Sequence, residues 1–130
     1  MKYTVSVDFD GVLHRYETKW INAHTIPDSP VPGAIEWLHK IIQKFDVVIF
    51  STRAKTWRGR RAMRAWLRRN SGMLYHDGMG WRGIEEVTFA KKPIALIYLD
   101  DRALRFEGRN WPSGEEIHRA RPWNRRENKL

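Results

Sequence analysis

At 130 residues the chain fits one domain and is too short for two well-cored ones. Its 42% hydrophobic content suffices for a core, and the absence of cysteine excludes disulfides and thiolate metal sites. With 24 Lys+Arg against 15 Asp+Glu the formal charge is +9, which favours polyanionic or phosphorylated partners and says nothing of fold. No apolar stretch approaches the roughly 20 residues that cross a bilayer. Asp8 and Asp10 interrupt the only early apolar run, so no signal peptide is expected and a cytoplasmic protein is the expectation.

Tyr3 to Phe9 is short, apolar and rich in β-branched and aromatic residues, which predicts a strand. Residues 14–33 are polar and broken by Pro27, Pro30 and Pro32; irregular stretches of that length in small domains are functional or mobile. Pro32-Gly33 leads into Ala34, Ile35, Leu38, Ile41 and Ile42, whose spacing of three and four predicts an amphipathic helix. Asp46 then precedes Val47-Val48-Ile49-Phe50, an apolar run of strand length. Strand, helix and buried strand in succession make a βαβ unit and imply a parallel sheet.

Trp57 to Arg69 predicts a second helix, with Ala62, Met63, Ala65 and Trp66 facing inward. Arg58, Arg60, Arg61, Arg64, Arg68 and Arg69 face outward, and Asn70-Ser71-Gly72 closes the helix. A Trp-containing loop at residues 78–83 and a short strand at Glu86–Phe89 follow. Ile94 to Leu99 is an apolar strand that ends in Asp100-Asp101. Residues 1–118 are expected to form the domain, and the basic segment 119–130 a weakly ordered tail.

Ligands of open parallel α/β sheets bind beyond the carboxyl ends of the strands. The conspicuous polar groups of this sequence all fall at such ends: Asp8 and Asp10, then Ser51-Thr52, then Asp100-Asp101, with Lys91-Lys92 just before the last strand. Each piece alone has an ordinary reading as a turn, a helix cap or a solvated pair. Brought together, four carboxylates repel one another unless a cation sits among them, and hard oxygen ligands suit magnesium. Asp8 and Asp10 are two apart and share a strand face, and Gly11 permits a tight turn beside a ligand.

In order along the chain, Val7-Asp-Phe-Asp-Gly-Val-Leu13, Val48-Ile-Phe-Ser-Thr-Arg53, Lys91-Lys-Pro93 and Tyr98-Leu-Asp-Asp-Arg-Ala103 resemble the motifs of the haloacid dehalogenase-like (HAD) phosphohydrolases. The similarity spans residues 3 to about 106, and the small phage and bacterial phosphatase-like members look nearest. The resemblance implies a three-layer αβα sandwich around a mainly parallel, Rossmann-like sheet. It also implies magnesium-dependent hydrolysis of a phosphate monoester through an aspartyl-phosphate.

Asp8 matches the nucleophile of the family. Asp10 matches the general acid and base, whose backbone carbonyl also binds the metal. Ser51 matches the hydroxyl that holds a phosphoryl oxygen, with the Thr52 amide as a second donor. Lys92, with Lys91 as the alternate, matches the lysine that steadies negative charge. Asp101 matches the direct magnesium ligand, with Asp100 behind it. Arg53 and Arg102 either reach substrate or bridge to the acidic cluster.

Residues 13–30 and 53–90 are too short for an inserted cap, so no separate cap domain is expected, and the segment around Trp20 is the expected substrate gate. An open, basic site points to a nucleotide or a nucleic acid terminal phosphate. The alternatives are a nucleic acid-binding accessory protein on the same scaffold, or a phosphotransferase. Among the five histidines no metal-ligand spacing occurs, and His14 alone lies near the site.

Overall fold

The computed structural model describes residues 3–72, 84–89 and 92–123. Strand β1 (Thr4–Val7) runs parallel to β2 (Asp46–Phe50), with Val5 opposite Val47. On its other side β1 pairs in parallel with β4 (Ile97–Leu99), Val5 opposite Ile97, and β3 (Ile84–Thr88) joins β2. Among the described residues the protein is therefore α/β, with an all-parallel sheet in the order β3-β2-β1-β4.

Helix α1 (Ala34–Ile41) follows β1, and α2 (Trp57–Ser71) follows β2 after a short 3-10 turn at Thr52–Lys55. Ala34 and Leu38 of α1 and Met63, Trp66 and Leu67 of α2 share one core with Val5, Val7, Val47 and Ile49. Both helices thus cover the same face of the sheet, as right-handed crossovers stepping in one direction require. Leu38, Met63, Trp66 and Leu67 are essentially fully buried, each contributing about 1.5–3 kcal/mol of hydrophobic stabilisation. Thr56 caps α2 by accepting from the Gly59 amide at 3.0 Å, and Gly72 ends it in the left-handed conformation.

The large side chains fix the phase of α2. Met63, Trp66 and Leu67 turn inward with Gly59, which leaves Ala65, expected inside, on the exposed side. Strand β3 begins two residues earlier than the sequence suggests. A register shift opposite Val47 and Val48 lets Ile84 and Val87, three apart, both reach the core, and this breaks the alternation that would mark a strand. The apolar run Ile94–Leu99 contributes only its last three residues as β4. At the sheet edge among the described residues, Ile97, Tyr98 and Leu99 remain partly exposed.

A further helix, α3 (Gly114–Arg119), was not expected. Its signal is a capping box, in which the Ser113 hydroxyl accepts from the Glu116 amide at 3.1 Å. Residues 119–123 of the expected tail are described, and the Trp123 indole donates to the Gly11 carbonyl. Residues 124–130 and the loop at 78–83 lie outside the described residues. No described helix is long and apolar enough to cross a membrane.

Helix α2 approaches the 3-10 turn so closely that a β-carbon on Gly59 would lie 1.8 Å from the Arg53 carbonyl oxygen. Backbone must move to admit it. Gly59→Ala is expected to cost about 2–3 kcal/mol in urea unfolding, and an unchanged midpoint would refute this close approach.

Candidate active site at the carboxyl ends of the strands

The strand order reverses between β1 and β4, because the chain steps from β1 to β2 to β3 and then returns to the far side of β1. Such a switch point opens a crevice at the carboxyl ends of the two strands. Asp8 follows β1 and Asp100-Asp101 follow β4, so register alone brings the acidic residues together; the Asp8 amide donates to the Leu99 carbonyl at 2.9 Å. Carboxylate oxygens of Asp8, Asp100 and Asp101 all lie within 4.8 Å of one another.

Local backbone holds each acid in place. Asp8 Oδ1 accepts from the Phe9 amide at 2.8 Å, and Asp100 Oδ1 accepts from the Arg102 amide at 2.8 Å. The Asp101 side chain lies over Gly11, where a β-carbon would stand 2.2 Å from Asp101 Oδ2. Gly11 also has φ +84°, so both the turn and the close approach require glycine there.

Charge is unbalanced in this trio. Among the described residues the ion pairs fall on Asp10, Asp28 and Glu17 and not on Asp8, Asp100 or Asp101. Burial first, and then the charge of Asp100, push Asp8 up to about 8, and Asp8 shares a hydrogen bond with Asp101. Asp101 is raised as well, by burial and by Asp100. Asp101 Oδ1 is buried with no hydrogen-bond partner among the described residues. Converging hard oxygens, one of them orphaned, and a carboxyl driven towards its neutral form are what a divalent cation relieves. The donor set therefore fits such a cation. Asp10, expected to join through its carbonyl, keeps its carboxylate outside this trio.

Beside the trio opens a cleft of about 360 Å³ whose lining includes Asp8, Asp10, Tyr16, Trp20, Ser51, Thr52, Asp100 and Arg102. Ser51 is buried at the end of β2, where its amide donates to the Thr88 carbonyl at 3.0 Å. Its hydroxyl oxygen accepts from the Arg53 amide at 3.2 Å, a bond that does not use the hydroxyl hydrogen. Thr52 is exposed in the same wall.

Arg53 lies behind the cleft and not in its lining. It is 1% exposed; its Nε donates to both oxygens of Asp10, at 3.0 and 2.8 Å. His14, also buried, touches Asp10 Oδ1 through Nδ1 at 2.8 Å. Of the two roles expected for Arg53, its contact with Asp10 is the bridge to the acidic residues, and His14 does lie near the site. That both meet at Asp10 carries no local sequence signal, because residues 10 and 53 come together only through the sheet.

Lys92 lines a neighbouring cleft of about 720 Å³ together with Asp8 and Asp100, and its ammonium sits 4.5 Å over the Tyr98 ring. Lys91 lies outside the described residues. Asp8, Asp10, Ser51, Thr52 and Asp100 thus meet at one cleft, Asp101 lies against Gly11 beside Asp8 and Asp100, and Lys92 stands at the adjoining cleft. No protein-family model, curated protein or solved structure matches this chain.

The raised Asp8 has a sign for stability. Folded Asp8 keeps its proton up to about pH 8, whereas unfolded Asp8 loses it near 3.8. Between those values the folded state binds more protons, so stability falls as pH rises. In chelator, Asp8→Asn is expected to raise Tm at pH 7.5 by about 4 °C, with the gain closing towards pH 4. A lower Tm for the variant at pH 7.5 would contradict this.

Proposed function

We propose that the chain is a magnesium-dependent phosphohydrolase of the HAD-like class, a three-layer αβα sandwich without a separate cap, acting on phosphate monoesters. One observation carries the reading: Asp8, Asp10, Ser51 and the Asp100-Asp101 pair, matched in sequence order to the family's motifs, converge at the switch point of a parallel sheet. Support for the layering comes from strand order. The return from β3 to β4 reverses direction, so a right-handed connection there runs over the face opposite α1 and α2.

In this reading Asp8 attacks phosphorus and becomes an aspartyl-phosphate, as carboxylates can. Asp10 gives a proton to the departing oxygen and then takes one from water as it attacks the same phosphorus. Ser51 donates its hydroxyl to a phosphoryl oxygen, with Thr52 beside it. Lys92, at the adjoining cleft, steadies negative charge. Asp8, Asp100 and Asp101 hold the magnesium ion, which when bound neutralises carboxylate and phosphate charge. Phosphoryl transfer needs positioning and charge stabilisation above all, and these residues supply both.

For substrate we propose a nucleotide or the terminal phosphate of a nucleic acid. Arg58, Arg61, Arg68 and Arg69 are exposed along α2, which starts five residues after the cleft residue Thr52. Trp57 at the start of α2 is 62% exposed, and Trp20 in the cleft wall is 47% exposed. Basic side chains interleaved with open aromatic rings suit a single strand, whose phosphates pair and whose bases stack.

Asp8→Asn is expected to lower magnesium-dependent turnover of para-nitrophenyl phosphate by at least about 10³-fold while circular dichroism stays unchanged. Undiminished turnover by that variant would overturn the proposal. In a panel of nucleotides, sugar phosphates and end-phosphorylated oligonucleotides, the double variant Arg58→Ala/Arg61→Ala is expected to raise KM for oligonucleotides alone, more steeply as salt falls. A gel shift with no turnover of any ester would instead favour a binding protein on this scaffold.

A further inference from the structure

Among the described residues Asp10 is the one carboxylate of the site with ion-pair partners, and those partners are shared with the Trp20 loop. The Arg53 guanidinium meets Asp10 through Nε, and its Nη1 donates to the carbonyls of Asn22, Ala23 and Thr25 at 3.0, 3.1 and 3.0 Å. The Trp20 ring lies 4.5 Å from its central carbon. A planar, five-donor group can hold a carboxylate and a row of carbonyls together, which a lysine ammonium on a flexible stem cannot.

His14 grips the other side. Its Nε2 accepts from the Asp28 amide at 3.1 Å, so the ring hydrogen sits on Nδ1 and is donated to Asp10 Oδ1. The Asp28 carboxylate accepts from the Thr18 amide and hydroxyl at 2.7 and 2.6 Å, and its carbonyl accepts from the Trp66 indole at 3.0 Å. The His14 ring lies 5.7 Å from Phe9 and 5.8 Å from Trp66, between two buried aromatic rings. Two buried side chains thus make three hydrogen bonds to Asp10, and both are anchored in the loop that carries Trp20.

We infer that Arg53 and His14 are positioning residues that fix the Asp10 side chain against the cleft and bind its orientation to the Trp20 loop. This rests on the phosphohydrolase reading above. Three hydrogen bonds directed at its two oxygens complement Asp10 in the step where it acts second. After the ester P–O bond has broken and Asp10 has given its proton to the leaving oxygen, Asp10 is an anion facing the Asp8-phosphate. Water then attacks phosphorus, its proton goes to Asp10, and the bond between phosphorus and the Asp8 oxygen breaks to release phosphate. Loosening Asp10 slows this half-reaction in particular, so the phosphorylated form accumulates.

The test is stopped-flow release of para-nitrophenol from para-nitrophenyl phosphate with magnesium, by wild type, Arg53→Lys, His14→Leu and His14→Asn. Leucine fits the apolar surroundings of His14 and keeps the fold testable if Arg53→Lys does not fold. In His14→Leu the steady-state rate is expected to fall at least about tenfold, behind a burst of para-nitrophenol that is larger than in wild type. Its kcat becomes the same for phenyl phosphates with different leaving groups. His14→Asn, which restores a donor near the Nδ1 position, returns the rate towards wild type. Active wild type with a leucine variant that loses rate without any growth of the burst, or loses none, overturns this inference alone. Inactive wild type overturns the parent reading, and this inference with it.

Discussion

Like charge at the end of a parallel sheet is the constraint on which the rest of the site depends. Pairing β1 with both β2 and β4 in parallel puts Asp8 next to Asp100 and Asp101, and backbone hydrogen bonds leave these acids little room to separate. In such a place a protein neutralises an acid, pairs it or supplies a cation. This chain treats its acids differently. Asp10 receives Arg53 and His14, while among the described residues no ion pair falls on Asp8, Asp100 or Asp101, and Asp8 is driven up to about 8. That asymmetry separates a carboxylate fixed by protein from a trio suited to an added cation.

The same division explains the glycines and the loop. Gly11 lets Asp101 lie against the first turn, and Gly59 lets α2 close on the Arg53 carbonyl. Residues 14–30 leave and rejoin the domain at one point, where the Arg15 amide donates to the Ser29 carbonyl and the Val31 amide to the Leu13 carbonyl. Trp20 is therefore carried on a segment tied at its base and pinned at its middle by Arg53. In the proposed enzyme this segment stands in for a cap: it shapes one wall of the cleft without enclosing it.

Much of this was legible in the sequence, and what was not has physical reasons. Apolar runs at Val5, Val47 and Ile97 mark strands because parallel strands are buried, and the acids and Ser51 stand out because they end those runs. A bridge from Arg53 to the acidic residues was one of its two expected roles, but its partner Asp10 lies 43 positions away and no local pattern singles it out. His14 lacked a metal spacing because its partners are Asp10 and a backbone amide, not other ligands. Ile84 was missed because a register shift hides its alternation, while α3 did carry a readable capping box at Ser113 and Glu116. The apolar run at β4 suggested burial, yet an edge position leaves it partly exposed.

The central claim is that Asp8 carries the phosphoryl group between two half-reactions. Acyl phosphates are reduced by borohydride to the alcohol, so an Asp8-phosphate trapped during turnover becomes homoserine at position 8. Tandem mass spectrometry of protein quenched with borohydride while it hydrolyses para-nitrophenyl phosphate in magnesium reads this directly. The account predicts homoserine at position 8 and unmodified aspartate at position 10. Turnover with position 8 unmodified, or with the modification at another carboxylate, would contradict it.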